Sequence, residues 1–205
     1  MDQAFIEART TEVTLRDGTR VRLRPIVPGD KQHLTDGFAR LSPTSRYRRF
    51  LSPLDELSPE MLRQLTEIDY VDHFAWIAFA ADEPERPGLG VARYARVPGE
   101  PEVAEAAVTV IDDHQRRGLG TLLLQALGAV ALENGIKRFR GYALAENRPI
   151  REITEGAVVT HEAPGVLRIE VDLPAQAEEL RASPMYDILR AVARGEGPTF
   201  RPPSP

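Results

Sequence analysis

The segment Asp112 to Gly128, "DDHQRRGLGTLLLQALG", sets two arginines and two glycines immediately ahead of a leucine-rich helical pattern. A glycine turn at a helix start leaves several backbone N–H groups without intrahelical partners, and the helix dipole adds partial positive charge there. Such a turn is an anion site. Because Gly118 and Gly120 lack side chains, a diphosphate could lie directly on the backbone of Arg117, Gly118, Leu119, Gly120 and Thr121, with Arg116 and Arg117 adding charge. The spacing excludes two other phosphate loops: no Gly-Lys-Ser/Thr ending follows, and "GLGTLL" lacks the third glycine of a dinucleotide fingerprint. The competing reading is mechanical, with the glycines merely letting a strand and a helix pack closely. Just upstream, "VAEAAVTV" holds a single carboxylate, Glu105, in an apolar stretch. Partial burial there would raise its pKa toward that of a useful general base, whereas an edge strand would leave it a solvent-facing glutamate.

Both features need a strand that delivers the turn and a helix that receives it. Val103 to Ile111 reads as a long strand, and Leu119, Leu122, Leu123, Ala126, Leu127, Val130 and Ala131 form a broad apolar stripe ended near Asn134-Gly135. Upstream, "VTLRDGTRVRLRPI" alternates about Asp17-Gly18 and predicts a hairpin from Val13 to Ile26. Asp30 is placed to cap a helix carrying Leu34, Phe38 and Leu41, a second short helix follows "SPTS", and a third begins at "SPEM" with Ser58 as cap. "HFAWIAFAAD" and Val91 to Val97 read as strands, the single Trp76 as a core residue. Downstream come a strand at "IKRFRGYAL", a short helix at "NRPIREIT", a hairpin from Ala157 to Leu173, and a polar helix after Pro174 ahead of a Pro/Gly-rich tail. This order predicts an α+β fold, a mixed, mostly antiparallel central sheet flanked by helices with one β-turn-helix crossover.

The chain's 205 residues suit one compact domain with a short appendage. A formal net charge of −5 gives no electrostatic reason to expect nucleic-acid binding, and no apolar run approaches the roughly 20 residues that cross a bilayer. Without cysteine there is no disulfide, thiolate metal site or cysteine nucleophile, and His33, His73, His114 and His161 are too widely spaced for a local metal site. The expectation is a soluble cytoplasmic protein that uses no metal, with the oligomeric state left open.

"QRRGLG", Gln115 to Gly120, resembles the Gln/Arg-x-x-Gly-x-Gly/Ala loop with which the GNAT N-acetyltransferase superfamily binds the pyrophosphate of acetyl-CoA. Together with "RLSPTSRYRRF", "DYVDHFAW", "VAEAAVTV" and "ENRPIREI", it is similar to the bacterial Pat-type protein lysine acetyltransferases. The resemblance implies the GNAT fold over residues 13–174, after an N-terminal extension (1–12) and before a C-terminal helix and tail (175–205). It implies acetyl-CoA as cosubstrate, a protein carrying an acceptor lysine as partner, and Glu105 as the base that deprotonates the amine. Val108, Thr109 and Val110 match the segment whose backbone pairs with the pantetheine arm, and Asn147 matches an asparagine that contacts the arm, against its alternative as an ordinary helix cap. Pat-type proteins can carry a cyclic-nucleotide-binding domain, for which the expectation here is absence or separate supply.

One departure stands out: many GNAT enzymes carry a tyrosine after the helix that follows Asn147, and "REITEGAVV" has none. The group that protonates the leaving thiolate is therefore open, with water or Tyr142 as candidates. His73 reads as a structural histidine, and Arg46, Arg48 and Arg49 as a solvated helix face or as a surface for an acidic protein or for CoA phosphates. Two other functions stay in view, N-acetylation of a small amine and an acetyl-CoA-sensing module without turnover.

Overall fold

The structure is a computed structural model and describes residues 3–83, 86–147 and 157–173. A short helix, α1 (Gln3–Ala8), buries Ile6 ahead of the first hairpin; at six residues it is too brief to show a periodic pattern in sequence. The alternation about Asp17-Gly18 closes β1 (Thr11–Thr14) onto β2 (Arg20–Pro25), with Gly18 at φ +85° in the turn.

After a 3₁₀ turn come α2 (Lys31–Ala39), α3 (Pro43–Phe50) and α4 (Pro59–Thr66). Ser42 and Ser58 cap the last two, accepting the N–H groups of Ser45 and Met61 at 3.2 Å each. Asp30 does not cap α2 with its side chain as its position suggests. Its buried carboxylate accepts two bonds from Arg24, at 2.6 and 2.7 Å, and one from the Val27 N–H at 2.7 Å. A bidentate guanidinium satisfies a desolvated carboxylate better than one helix N–H does.

The remaining elements are β3 (His73–Ala80), β4 (Gly90–Val97), β5 (Glu100–Val110), α5 (Leu119–Glu133), β6 (Arg138–Leu144), β7 (Val158–Ala163) and β8 (Val166–Asp172). The strands form one sheet in the order β1-β2-β3-β4-β5-β6-β8-β7. Neighbours are antiparallel except β5 and β6, which run parallel because α5 carries the chain from one to the other. The expected open mixed sheet is thus observed. The helix predicted at "NRPIREIT" and the C-terminal helix lie outside the described residues.

α5 covers one sheet face with the predicted stripe, all seven residues of which are buried, against Phe74, Trp76, Tyr94 and Ala104. Each fully buried leucine there contributes about 1.5–3 kcal/mol. Gly90 permits the close approach: a Cβ on it would stand 2.9 Å from the Thr109 carbonyl oxygen and 3.1 Å from Leu123 Cδ1. The opposite face buries Ile26, Ala75, Ile77 and Phe79, with Leu34 of α2 packed against them. Among the described residues no helix is long and apolar enough to cross a membrane.

Candidate active site

β5 is held differently along its two edges. On one side β4 pairs with it from Glu100 to Val110, with a register shift at Arg96/Val97. On the other, β6 meets only Val103, Ala104 and Glu105. Past Glu105 the two strands part and leave an unpaired edge inside the sheet. The Ala106 carbonyl oxygen faces Gly141 of β6, 3.5 Å from where a Cβ would sit, and the Val110 carbonyl accepts Gln115 Nε2 at 3.0 Å. The Thr109 carbonyl faces β4 instead. Because main-chain groups alternate along a strand, those of Ala106, Val108 and Val110 point into the gap. A cleft of about 290 Å³ opens there, lined by Ala106 to Val108, by Thr121, Leu124 and Gly128 of α5, by Tyr142 of β6, and by Asn147. An edge of this kind accepts an extended ligand arm as an added strand.

The glycine turn stands at the same end of β5. Gln115 is extended, Arg116 has φ +60°, Gly118 has φ +87°, and α5 begins at Leu119. The first intrahelical bond runs from the Leu122 N–H to the Gly118 carbonyl at 3.0 Å, so the N–H groups of Leu119, Gly120 and Thr121 lack intrahelical acceptors. Those of Arg116, Arg117 and Gly118 also donate to no group among the described residues. A Cβ on Gly118 would meet nothing within 4 Å, and one on Gly120 only Val110 Cγ2 at 3.8 Å. Close packing is therefore not the reason for these glycines, and the left-handed backbone at Gly118 is. Gln115 is committed to the loop itself, its Nε2 donating to the Val110 carbonyl and to Asp112 Oδ1 at 3.0 Å each. Arg117 reaches Asp17 at 3.6 Å, whereas Arg116 is exposed and forms no ion pair among the described residues.

Glu105 departs from expectation. It is exposed rather than partly buried in its apolar strand. Its neighbour Ala104 is the residue turned into the core. Cross-strand register places His73, Ala95, Glu105 and Arg140 in one row on the face away from α5. Arg140 is already occupied, bidentate to Glu100 at 2.9 Å and bonded to Glu170 at 3.1 Å. His73 is pushed down to about 4 by burial and by Arg93, which stands 3.4 Å from its Nε2. A neutral His73 accepting from Arg93 is a structural histidine. Tyr142 is half-buried, lines the cleft, and its hydroxyl makes no hydrogen bond among the described residues. Arg48 and Arg49 also line the cleft, so the arginines of α3 are not simply a solvated face. The sequence reading missed Arg93, one of two arginines in the strand "GVARYARV" and the one flanked by the apolar Ala92 and Tyr94.

Residues 20–157 match the family model of the acetyltransferase (GNAT) domain. The acetyltransferase Pat of Mycolicibacterium smegmatis is 37% identical over 164 residues, which are 79% of this chain and 48% of that protein. An acetyltransferase of Pseudomonas aeruginosa is 36% identical over 150 residues, 73% of this chain and 80% of its own. Among solved structures, the GNAT domain of S. lividans PAT superposes with a TM-score of 0.73 at 31% identity, covering 80% of this chain and 97% of that one. The chain spans about half the length of the Pat relative.

Proposed function

This chain belongs to the GNAT acetyltransferase family, and on that premise we propose that it transfers acetyl from acetyl-CoA directly to a primary amine, a lysine side chain of a protein, with Glu105 as general base. The observation that carries the reading is the meeting of an unpaired strand edge with a turn of free N–H groups at the mouth of one cleft. The residues present fit the cosubstrate: the N–H groups of Arg117 to Thr121 suit a diphosphate, and the unpaired edge suits an extended pantetheine arm. Acetyl-CoA supplies the activated acyl group when bound. The protein supplies position, a base and dipoles.

Val108 would present its N–H to the arm or to the thioester carbonyl, the acyl-transfer form of oxyanion stabilisation. Val110 would contribute main chain in the same way, while Thr109 turns its main chain to β4 and shapes the opposite face. Gln115 acts by holding the turn, Arg116 brings a free positive charge, and Asn147 stands at the cleft wall. A lysine ammonium has a reference pKa near 10.4, so a base must take its proton before attack. An exposed Glu105 does this through solvent water. The lysine acceptor rests on the likeness to Pat-type enzymes.

The test begins with thermal stability of the purified protein with and without acetyl-CoA, repeated for Gly118→Glu. Stabilisation of the wild type that the folded variant lacks supports the site; no shift in the wild type removes the basis of the reading. CoA release is then compared between acetyl-CoA synthetase-like proteins and small amines. Faster turnover of a small amine would replace the lysine acceptor, and CoA release that ignores any amine would leave no transferase.

A further inference from the structure

Two guanidinium groups that line one cavity, those of Arg93 and Arg49, have no anion among the described residues. Arg93 on β4 is 8% exposed, and its Nη2 donates to the Leu65 carbonyl at 2.8 Å. Its other contact, His73, is neutral and offers no charge. Arg49, at the end of α3, lies over the Phe50 ring at 4.8 Å and forms no ion pair or hydrogen bond among the described residues. Burial holds both below the usual arginine range, Arg93 at about 9, where the like charge of Arg49 adds to the effect. Other arginines find carboxylates, as Arg24 finds Asp30 and Arg140 finds Glu100 and Glu170. A buried charge without compensation is strongly destabilising, and two side by side repel as well.

Both groups line one cavity of about 70 Å³ between the helical layer and β4, walled by Phe38, Ile77 and Thr109. That space admits several water-sized groups, enough for a carboxylate. Arg49 lines the β5–β6 cleft as well, so the cavity adjoins it. Arg93 is the cross-strand partner of Ala107, which makes it the diagonal neighbour of Glu105 on the same sheet face. Diagonal positions lie about 7–8 Å apart.

Resting on the acetyltransferase reading, we propose that Arg49 and Arg93 form a carboxylate-binding pocket that selects acceptors carrying an acidic group close to the amine. The carboxylate has two sources, an acidic side chain beside the acceptor lysine of a polypeptide or the α-carboxylate of a free amino acid. Bidentate guanidinium recognition suits either.

N-acetylglutamate, which offers carboxylates without an acceptor amine, is titrated into the protein in the absence of acetyl-CoA and followed by thermal stability, with N-acetylglutamine amide, which has no carboxylate, as control. The proposal expects saturable stabilisation by the first alone, lost in Arg49→Met and reduced in Arg93→Lys. Equal responses to the two compounds overturn it. In the transfer assay, blocked peptides with Glu beside Lys should exceed their Gln counterparts by at least about tenfold in kcat/KM, with the gap narrowing in Arg93→Lys while stabilisation by acetyl-CoA persists. Equal rates on the two peptides, with no preference for a free amino acid over its amide, also overturn it. Preference for a free amino acid over its amide assigns the second source. Absence of transfer to every amine strikes the acetyltransferase reading and leaves the N-acetylglutamate titration to decide the pocket.

Discussion

The two halves of β5 share one strand and one neighbour, yet they do opposite work. From Val103 to Glu105 the strand is bonded on both edges and Ala104 is sealed in the core. From Ala106 to Val110 its only strand partner among the described residues is β4, and its other edge faces a cleft. The first half fixes where the second half stands. Structural strength and binding capacity are thus separated by one residue step, at the point where β6 turns away.

The largest test of that division is Glu105→Gln, at the last fully paired position. If Glu105 is the base, kcat/KM should fall by about 10²–10⁴-fold with acetyl-CoA binding retained. A fall below threefold would return Glu105 to the structural half.

Next is the turn beside the open half. At acetyl-CoA 100 times its dissociation constant, the wild type should gain about 2.7 kcal/mol, and Gly118→Glu should lose that gain. Two glycine changes sharpen the contrast between space and conformation. Gly90→Ala should destabilise by about 1–3 kcal/mol, because its Cβ would press on the Thr109 backbone, as urea unfolding would show. Gly120→Ala has open space in a helix and should add up to about 1 kcal/mol of stability.

Amide exchange reads the comparison directly. The N–H groups of Val108 and Val110 should exchange faster than those paired with β6 and slow by roughly tenfold or more when acetyl-CoA binds. Equal protection along β5 without ligand would mean that the edge is not open.

A last test concerns His73, in the row of Glu105. Its folded pKa of about 4 lies below the ordinary histidine value of 6.5, so the unfolded chain takes up the proton first. Stability should be constant above pH 6.5 and decline as pH falls toward 4, and His73→Gln should flatten that decline in denaturation curves.

Much of this was legible in residues alone. Ser42 and Ser58 announced their helices because capping is a local bond, and the leucine stripe announced α5 because burial repeats every turn. Asp30 misled because its strongest partner, Arg24, lies on a strand and not on the helix it precedes.

The sequence by itself determined the order of elements, the glycine turn between β5 and α5, and the family, since each rests on residues close together in the chain. Tertiary structure alone decided that β6 leaves β5 after three pairs, that Glu105 faces solvent, and that Arg49 and Arg93 share a cavity. Those outcomes depend on which distant segment covers each side chain. Exposure and charge pairing are therefore set by packing between elements, while φ, caps and periodicity are set within them.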